Sequence, residues 1–286
     1  MSGRVTRHRT DGNEEGPHRH ARGADVLRTT VPVTMRGRTV PVSCLRREGE
    51  APPVLILPGL GMPAMEALGI APERVLPGRS LLVPDIPGTG RTPGTRDLTV
   101  EDLATLAAAL VGHLDAGPAV VVGHSMGGLA GLFLCRDRPG LVAGFVNVEG
   151  NLGPGDCFVS RRVVVEPVAA VAASLGRSRA AGMARYARTL AAVRDVGTLR
   201  SVSRSLVEHS TSSPLLTWFT RLEVPSLFIT GASGRELPYL GTLRAAGIPV
   251  VSLGRSGHFP MYSRPAAYYR AVEEFVEGVD RGTAAG

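Results

Sequence analysis

Residues Pro118–Cys135 read PAVVVGHSMGGLAGLFLC. An apolar, β-branched run from Ala119 to Val122 gives out at Gly123-His124-Ser125-Met126-Gly127-Gly128, and an apolar stretch of helical length follows. A short run of that kind suits a buried strand. The glycine-rich hexapeptide is then a strand-to-helix turn, the context in which G-x-S-x-G sets a serine on a sharp corner. Its flanking glycines are needed because a side chain there would collide with the neighbouring strand or helix. Ser125 is expected to project from the C-terminal edge of a sheet, at a helix N-terminus whose free N–H groups favour developing negative charge. In a chain with 36 glycines the pattern also arises by chance. The competing reading is an ordinary βα turn with an idle serine. The strand before it, the helix after it and the extra glycine at 128 favour a nucleophile.

On the N-terminal side, Val26 to Arg46 alternates apolar and polar residues around Arg36-Gly37-Arg38, which predicts a β-hairpin. Pro53–Pro58 and Ser80–Pro84 are continuous apolar runs and predict buried strands, the first ending in Gly59-Leu60-Gly61-Met62. Thr99 to Leu114 predicts a helix. Thr99 is a good N-cap with Asp102 three residues on, and leucines recur at 103, 106, 110 and 114. On the C-terminal side, Leu141–Val148 predicts a strand ending at Glu149-Gly150-Asn151. Strand–helix alternation then stops. Helical pattern covers Val163–Leu175, Ser178–Val196 and Leu199–Ser210, and alternation resumes with strands at Pro225–Gly231 and Pro249–Leu253. A helix is expected between these strands, around Leu237–Ala246, and a closing helix from about Arg264 to Val279. The expected division is a disordered tail over 1–25, an α/β core over 26–151 and 221–280, and a helical cap over 152–220.

Composition narrows the classes. The chain has 286 residues, enough for one large domain, and 43% hydrophobic with 20% charged content describes a globular protein. All 32 basic residues are arginine, and the formal charge is +7. They lie scattered, with no basic stripe interleaved with aromatics, so no nucleic-acid partner is expected. Cys44, Cys135 and Cys157 are odd in number and far apart, which provides neither a disulfide framework nor a zinc pair. No metal or organic cofactor is expected. His8, His18 and His20 fall in the tail and read as surface histidines. Arg4, Arg7 and Arg9 are followed by no apolar segment of signal-peptide type, and no apolar run reaches the length of a membrane span. A cytoplasmic address and no membrane partner are the expectations.

A serine needs a base. Of seven histidines, His258 lies in Arg255–Pro260 after the last predicted strand, where open α/β sheets put their sites. His113 and His209 fall in predicted helices, and strand alternation turns His124 away from Ser125. The order Ser before His also suits the elbow. These residues together resemble the α/β-hydrolase superfamily. The resemblance spans about Val26 to Glu277 and is carried by PGLG at 58–61, DIPGTGRT at 85–92, GHSMGG at 123–128 and GHFPMYSRP at 257–265. It implies an eight-stranded, mostly parallel sheet flanked by helices, with an oxyanion hole formed by the backbone N–H groups of Leu60 and Met126. Asp85 is then structural. Many relatives carry the triad acid after the penultimate strand, where this chain has Gly231-Ala232-Ser233-Gly234. Others place it after the strand that follows the elbow helix, the position of Glu149. Glu149 is therefore the first choice, Glu236 the second and Asp156 the third, and Glu149 also reads as an anchor for the segment that follows it.

The expected activity is hydrolysis of a small-molecule ester, thioester or lactone through a Ser125–His258–Glu149 triad and an acyl-enzyme. Acyl transfer or lactonisation at the same site is the alternative, and a non-catalytic small-molecule receptor is a third. Val164, Val168, Met183, Tyr186, Leu215, Trp218 and Phe219 could line a pocket or form the cap's own core.

Overall fold

The computed structural model describes residues 25–114, 116–231 and 237–282. The expected tail lies outside these residues except for Asp25, and so does Glu236. In chain order the strands are β1 (Leu27–Met35), β2 (Arg38–Arg47), β3 (Glu50–Leu57), β4 (Arg79–Pro84), β5 (Ala119–His124), β6 (Val142–Val148), β7 (Ser226–Thr230) and β8 (Val250–Ser252). They form one sheet in the order β1-β2-β4-β3-β5-β6-β7-β8. The β1–β2 hairpin turns at Arg36-Gly37 as predicted, and β2 runs antiparallel to β4. Every pairing from β4 through β3, β5, β6 and β7 to β8 is parallel.

The helices are α1 (Ala64–Leu68), α2 (Val100–Gly112), α3 (Met126–Asp137), α4 (Ser160–Val165), α5 (Val168–Gly176), α6 (Met183–Ala191), α7 (Val196–Ser212), α8 (Leu215–Thr220), α9 (Leu240–Ala245), α10 (Pro260–Ser263) and α11 (Pro265–Asp280). Two adjacent residues of β6 show how they cover the sheet. Successive strand residues point to opposite faces. Phe145 packs its ring where a Cβ on Gly131 of α3 would sit 2.6 Å away. Gly144 leaves room on the other face for Phe275 and Val279 of α11. The central strands are therefore covered on both sides, which is why all six residues of β5 are buried and why its sequence is apolar without alternation.

The α2 start is as expected. The Thr99 hydroxyl accepts the Asp102 N–H at 3.3 Å, and the Asp102 carboxylate accepts the Thr99 N–H at 2.9 Å. The helix expected over 163–175 is two helices, broken at Glu166-Pro167. A residue before proline is pushed out of the α region, and Glu166 has φ −105° and ψ 158°. The helix expected over 178–196 is confined to α6, bounded by Gly182 at φ +78° and by Asp195, whose carboxylate caps α7 through the Thr198 N–H at 2.8 Å. Helices α1 and α8 were not anticipated, each too short to show a period. Between β6 and β7 all the regular structure is helical: a single turn at Pro154–Asp156, then α4 to α8.

Candidate active site

Ser125 stands between β5 and α3 with φ +52° and ψ −117°, a backbone conformation that side chains rarely adopt. The turn holds it there. Its N–H donates to the Val148 carbonyl at 2.9 Å, and its carbonyl accepts the Gly128 N–H at 2.8 Å. The glycines are required sterically. A Cβ at Gly123 would run into the Gly127 carbonyl oxygen, and one at Gly127 into the Leu57 carbonyl oxygen.

Glu149 follows β6 directly, also at positive φ (+50°). Its Oε1 accepts from the Thr230 hydroxyl at 2.7 Å and from the Gly231 N–H at 2.6 Å, and its Oε2 lies 3.3 Å from His258 Nδ1. Burial alone would raise its pKa. The His258, Thr230 and Gly231 donors outweigh that and hold it below the usual carboxylate value. His258 sits in the loop after β8, which is anchored by Ser256 and Gly257 N–H groups on the Gly231 carbonyl at 3.0 and 3.2 Å. Asp156, the third candidate acid, is engaged elsewhere. Its carboxylate accepts the Leu152 and Gly153 N–H groups at 2.9 and 3.0 Å and the Tyr239 hydroxyl at 3.2 Å.

His124 does not face away, as alternation predicted. Its ring centroid lies 4.9 Å from that of His258, and its Nε2 is 2.8 Å from the His258 carbonyl oxygen. It is the last residue of β5, and the period of two does not carry across a turn that begins at the next residue. A carbonyl only accepts, so Nε2 carries the hydrogen and Nδ1 is a bare acceptor, buried without a partner among the described residues. Burial, followed by the nearby His258, pushes the His124 pKa down to about 3, so it is neutral. Gly59 comes so close to this ring that a Cβ there would meet His124 Nδ1 at 2.6 Å.

Leu60 lies in the loop after β3 and Met126 opens α3, the two positions expected to supply oxyanion donors. Neither N–H has a hydrogen-bond partner among the described residues. The Tyr186 hydroxyl of α6 donates to the Leu60 carbonyl at 3.0 Å and steadies that loop. Asp85 is structural: buried, it accepts the Ala64 and Arg91 N–H groups at 2.8 and 3.0 Å and the Arg28 guanidinium at 2.8 Å. Of the apolar residues with two open readings, Met183 and Tyr186 line cavities, whereas Phe219 is core, packed on Phe145 and Phe228. No cluster of His, Cys, Asp or Glu suited to a metal ion occurs among the described residues, and no described helix is long and apolar enough to cross a membrane.

A nucleophile-type elbow, a histidine held by a carboxylate and two unpaired N–H groups thus meet at the C-terminal ends of parallel strands. Residues 54–271 match the model of the alpha/beta hydrolase family. The chain belongs to that family. This hydrolase is 28% identical over 240 residues to the magnesium-chelatase 30 kDa subunit of Rhodobacter capsulatus, covering 73% of this chain and 81% of the relative. Its fold is similar to a thermophilic esterase from Thermogutta terrifontis (TM-score 0.70, 21% identity, 88% of this chain and 99% of the other). It is also similar to an N-acyl homoserine lactonase (TM-score 0.70, 17% identity, 89% and 98%).

Proposed function

We propose that this hydrolase cleaves a small-molecule carboxylic ester or thioester by covalent catalysis at Ser125. The observation that carries the reading is the contact of His258 Nδ1 with Glu149 Oε2 at 3.3 Å, behind a serine held on a strained elbow. With Glu149 accepting at Nδ1, the other ring nitrogen is the free base. His258 takes the Ser125 proton as Oγ attacks the acyl carbon, and the oxygen that becomes negative is received by the Leu60 and Met126 N–H groups. His258 then gives the proton to the leaving alkoxide or thiolate. Water, deprotonated by the same histidine, releases the acid and restores Ser125. Helices α4 to α8, within residues 152–220, act as a cap over this edge of the sheet, with Tyr186 linking cap and oxyanion loop.

The test pairs labelling with turnover. A fluorophosphonate should modify Ser125, with the label lost in Ser125→Ala, and simple esters should yield free acid. A folded protein that takes no label and turns over no ester contradicts the reading. Label together with cyclised or transferred product, and no free acid, points instead to lactonisation or acyl transfer at the same serine.

A further inference from the structure

Two cavities meet at His258, and they differ in size and chemistry. The one that contains Ser125 is small, about 20 Å³, scarcely more than one water-sized group. Its wall includes Ser160, whose buried hydroxyl has no hydrogen-bond partner among the described residues. An apolar acyl chain packed there would leave that hydroxyl unpaired, at a cost in affinity. The second cavity is about 330 Å³ and largely apolar, with Met183, Leu237, Pro238 and the ring of Tyr239 in its wall.

Three residues face both: His258, Asp156 and Phe158. His258 and Asp156 are tied into hydrogen bonds. Phe158 is different. It is 37% exposed, an unusual state for a phenylalanine, and its ring stands edge-on to the His258 ring at 5.0 Å. It is the apolar side chain common to both walls.

We propose that the larger cavity receives the alcohol half of the substrate and that Phe158 confines the acyl half to a compact group, so that the substrates are short-chain acyl esters of bulky apolar alcohols. The proposal rests on the serine-esterase reading. Chemistry fixes which half goes where. The ester's C–O bond breaks with the electron pair on the alcohol oxygen, and that oxygen takes its proton from His258, so the alcohol oxygen lies beside the residue at which the two cavities meet. The acyl group stays bonded to Ser125 Oγ and must fit the cavity around it.

The experiment is a matrix of esters with the purified full chain, followed by acid release, with fluorophosphonate labelling of Ser125 on the same sample. Ethyl, hexyl and 2-naphthylmethyl acetates vary the alcohol; ethyl acetate, butyrate and hexanoate vary the acid. Expected are a rise in kcat/KM of at least about tenfold from ethyl to hexyl acetate and a fall of at least about tenfold from ethyl acetate to ethyl hexanoate. Phe158→Ala should raise the ratio of kcat/KM for ethyl hexanoate to that for ethyl acetate by at least about tenfold, and Phe158→Leu should fall between. A labelled enzyme that prefers ethyl hexanoate to hexyl acetate overturns this proposal and leaves the esterase reading standing, as does a Phe158→Ala variant with an unchanged acyl profile. A sample neither labelled nor active on any ester overturns both.

Discussion

The two halves of the site are held by different means. On the sheet side each loop is latched to a neighbouring strand or its end through the backbone: the Ser125 N–H to Val148, the Glu149 N–H to Ile229, and the Ser256 and Gly257 N–H groups to Gly231. The proposed nucleophile and acid thus follow β5 and β6 directly, while the proposed base comes from the loop after β8, which is tied back to the end of β7. Among the described residues, three of the six non-glycine residues at positive φ, namely Ser125, Glu149 and Arg255, lie in these loops, so strain is concentrated where the chemistry is proposed. On the helical side, among the described residues, a side-chain hydrogen bond from Tyr186 to the Leu60 carbonyl makes the link to the site, beside a partly exposed Phe158 and a Ser160 hydroxyl with no hydrogen-bond partner. The contrast assigns rate to the strand ends and selectivity to the helices. Backbone latches cannot be altered one residue at a time without touching the fold, whereas side chains facing a cavity can.

That contrast breaks first at Ser125. Ser125→Ala should lower kcat by about 10⁴-fold or more, and retention of substantial turnover would remove the serine from the chemistry. Next comes Glu149→Gln, which keeps the Oε1 contacts but not the charge facing His258. A drop of about 10²–10⁴-fold in kcat, with KM nearly unchanged, is expected. Its pH signature is separate. Glu149 has a folded-state pKa below its unfolded value, so it contributes stability that is complete above the unfolded value, about 4.3, and is lost as pH falls through the folded one. Urea midpoints between pH 7 and 3 should therefore fall more steeply for the wild type than for Glu149→Gln. Parallel curves would mean that the carboxylate gains nothing from its three partners. On the helical side the effect should be smaller. Tyr186→Phe removes only the hydroxyl that holds Leu60, worth about 1 kcal/mol, so kcat should drop about fivefold with little change in selectivity.

What could be read from the sequence follows the same division. Strands β3 to β7 announce themselves because both faces are covered and their residues have no polar alternative. The elbow is equally legible, since Gly123 and Gly127 are dictated by atoms a few residues away or on the adjacent strand. Glu149 came into view through the family resemblance, which offers the end of the strand after the elbow helix as one place for the acid; the Thr230, Gly231 and His258 contacts that hold it come from distant parts of the chain. His124 was misread where a local rule met a turn that suspends it. In the helical segment, Pro167 divides α4 from α5 by a local constraint that a hydrophobic period alone overlooks. The partition formed by Phe158 is a different matter. It depends on how α4 and α6 dock over the sheet, and no short stretch of sequence encodes that.

The smallest effect tests the strain itself, and it separates fold from function at one residue. Ser125 holds φ +52° because its N–H is tied to Val148 and its carbonyl to Gly128. Any Cβ at that position carries a steric cost of about 1–3 kcal/mol, which glycine avoids. Glycine also makes the unfolded chain more flexible, an opposing cost of about 0.5–1 kcal/mol relative to alanine. The difference leaves Ser125→Gly more stable than Ser125→Ala by about 1 kcal/mol, although neither has a nucleophile. Urea unfolding of the two inactive variants side by side measures this directly, free of any change in hydroxyl hydrogen bonding. Equal midpoints would show that the elbow is relaxed, and the sheet side would then owe its geometry to its latches alone.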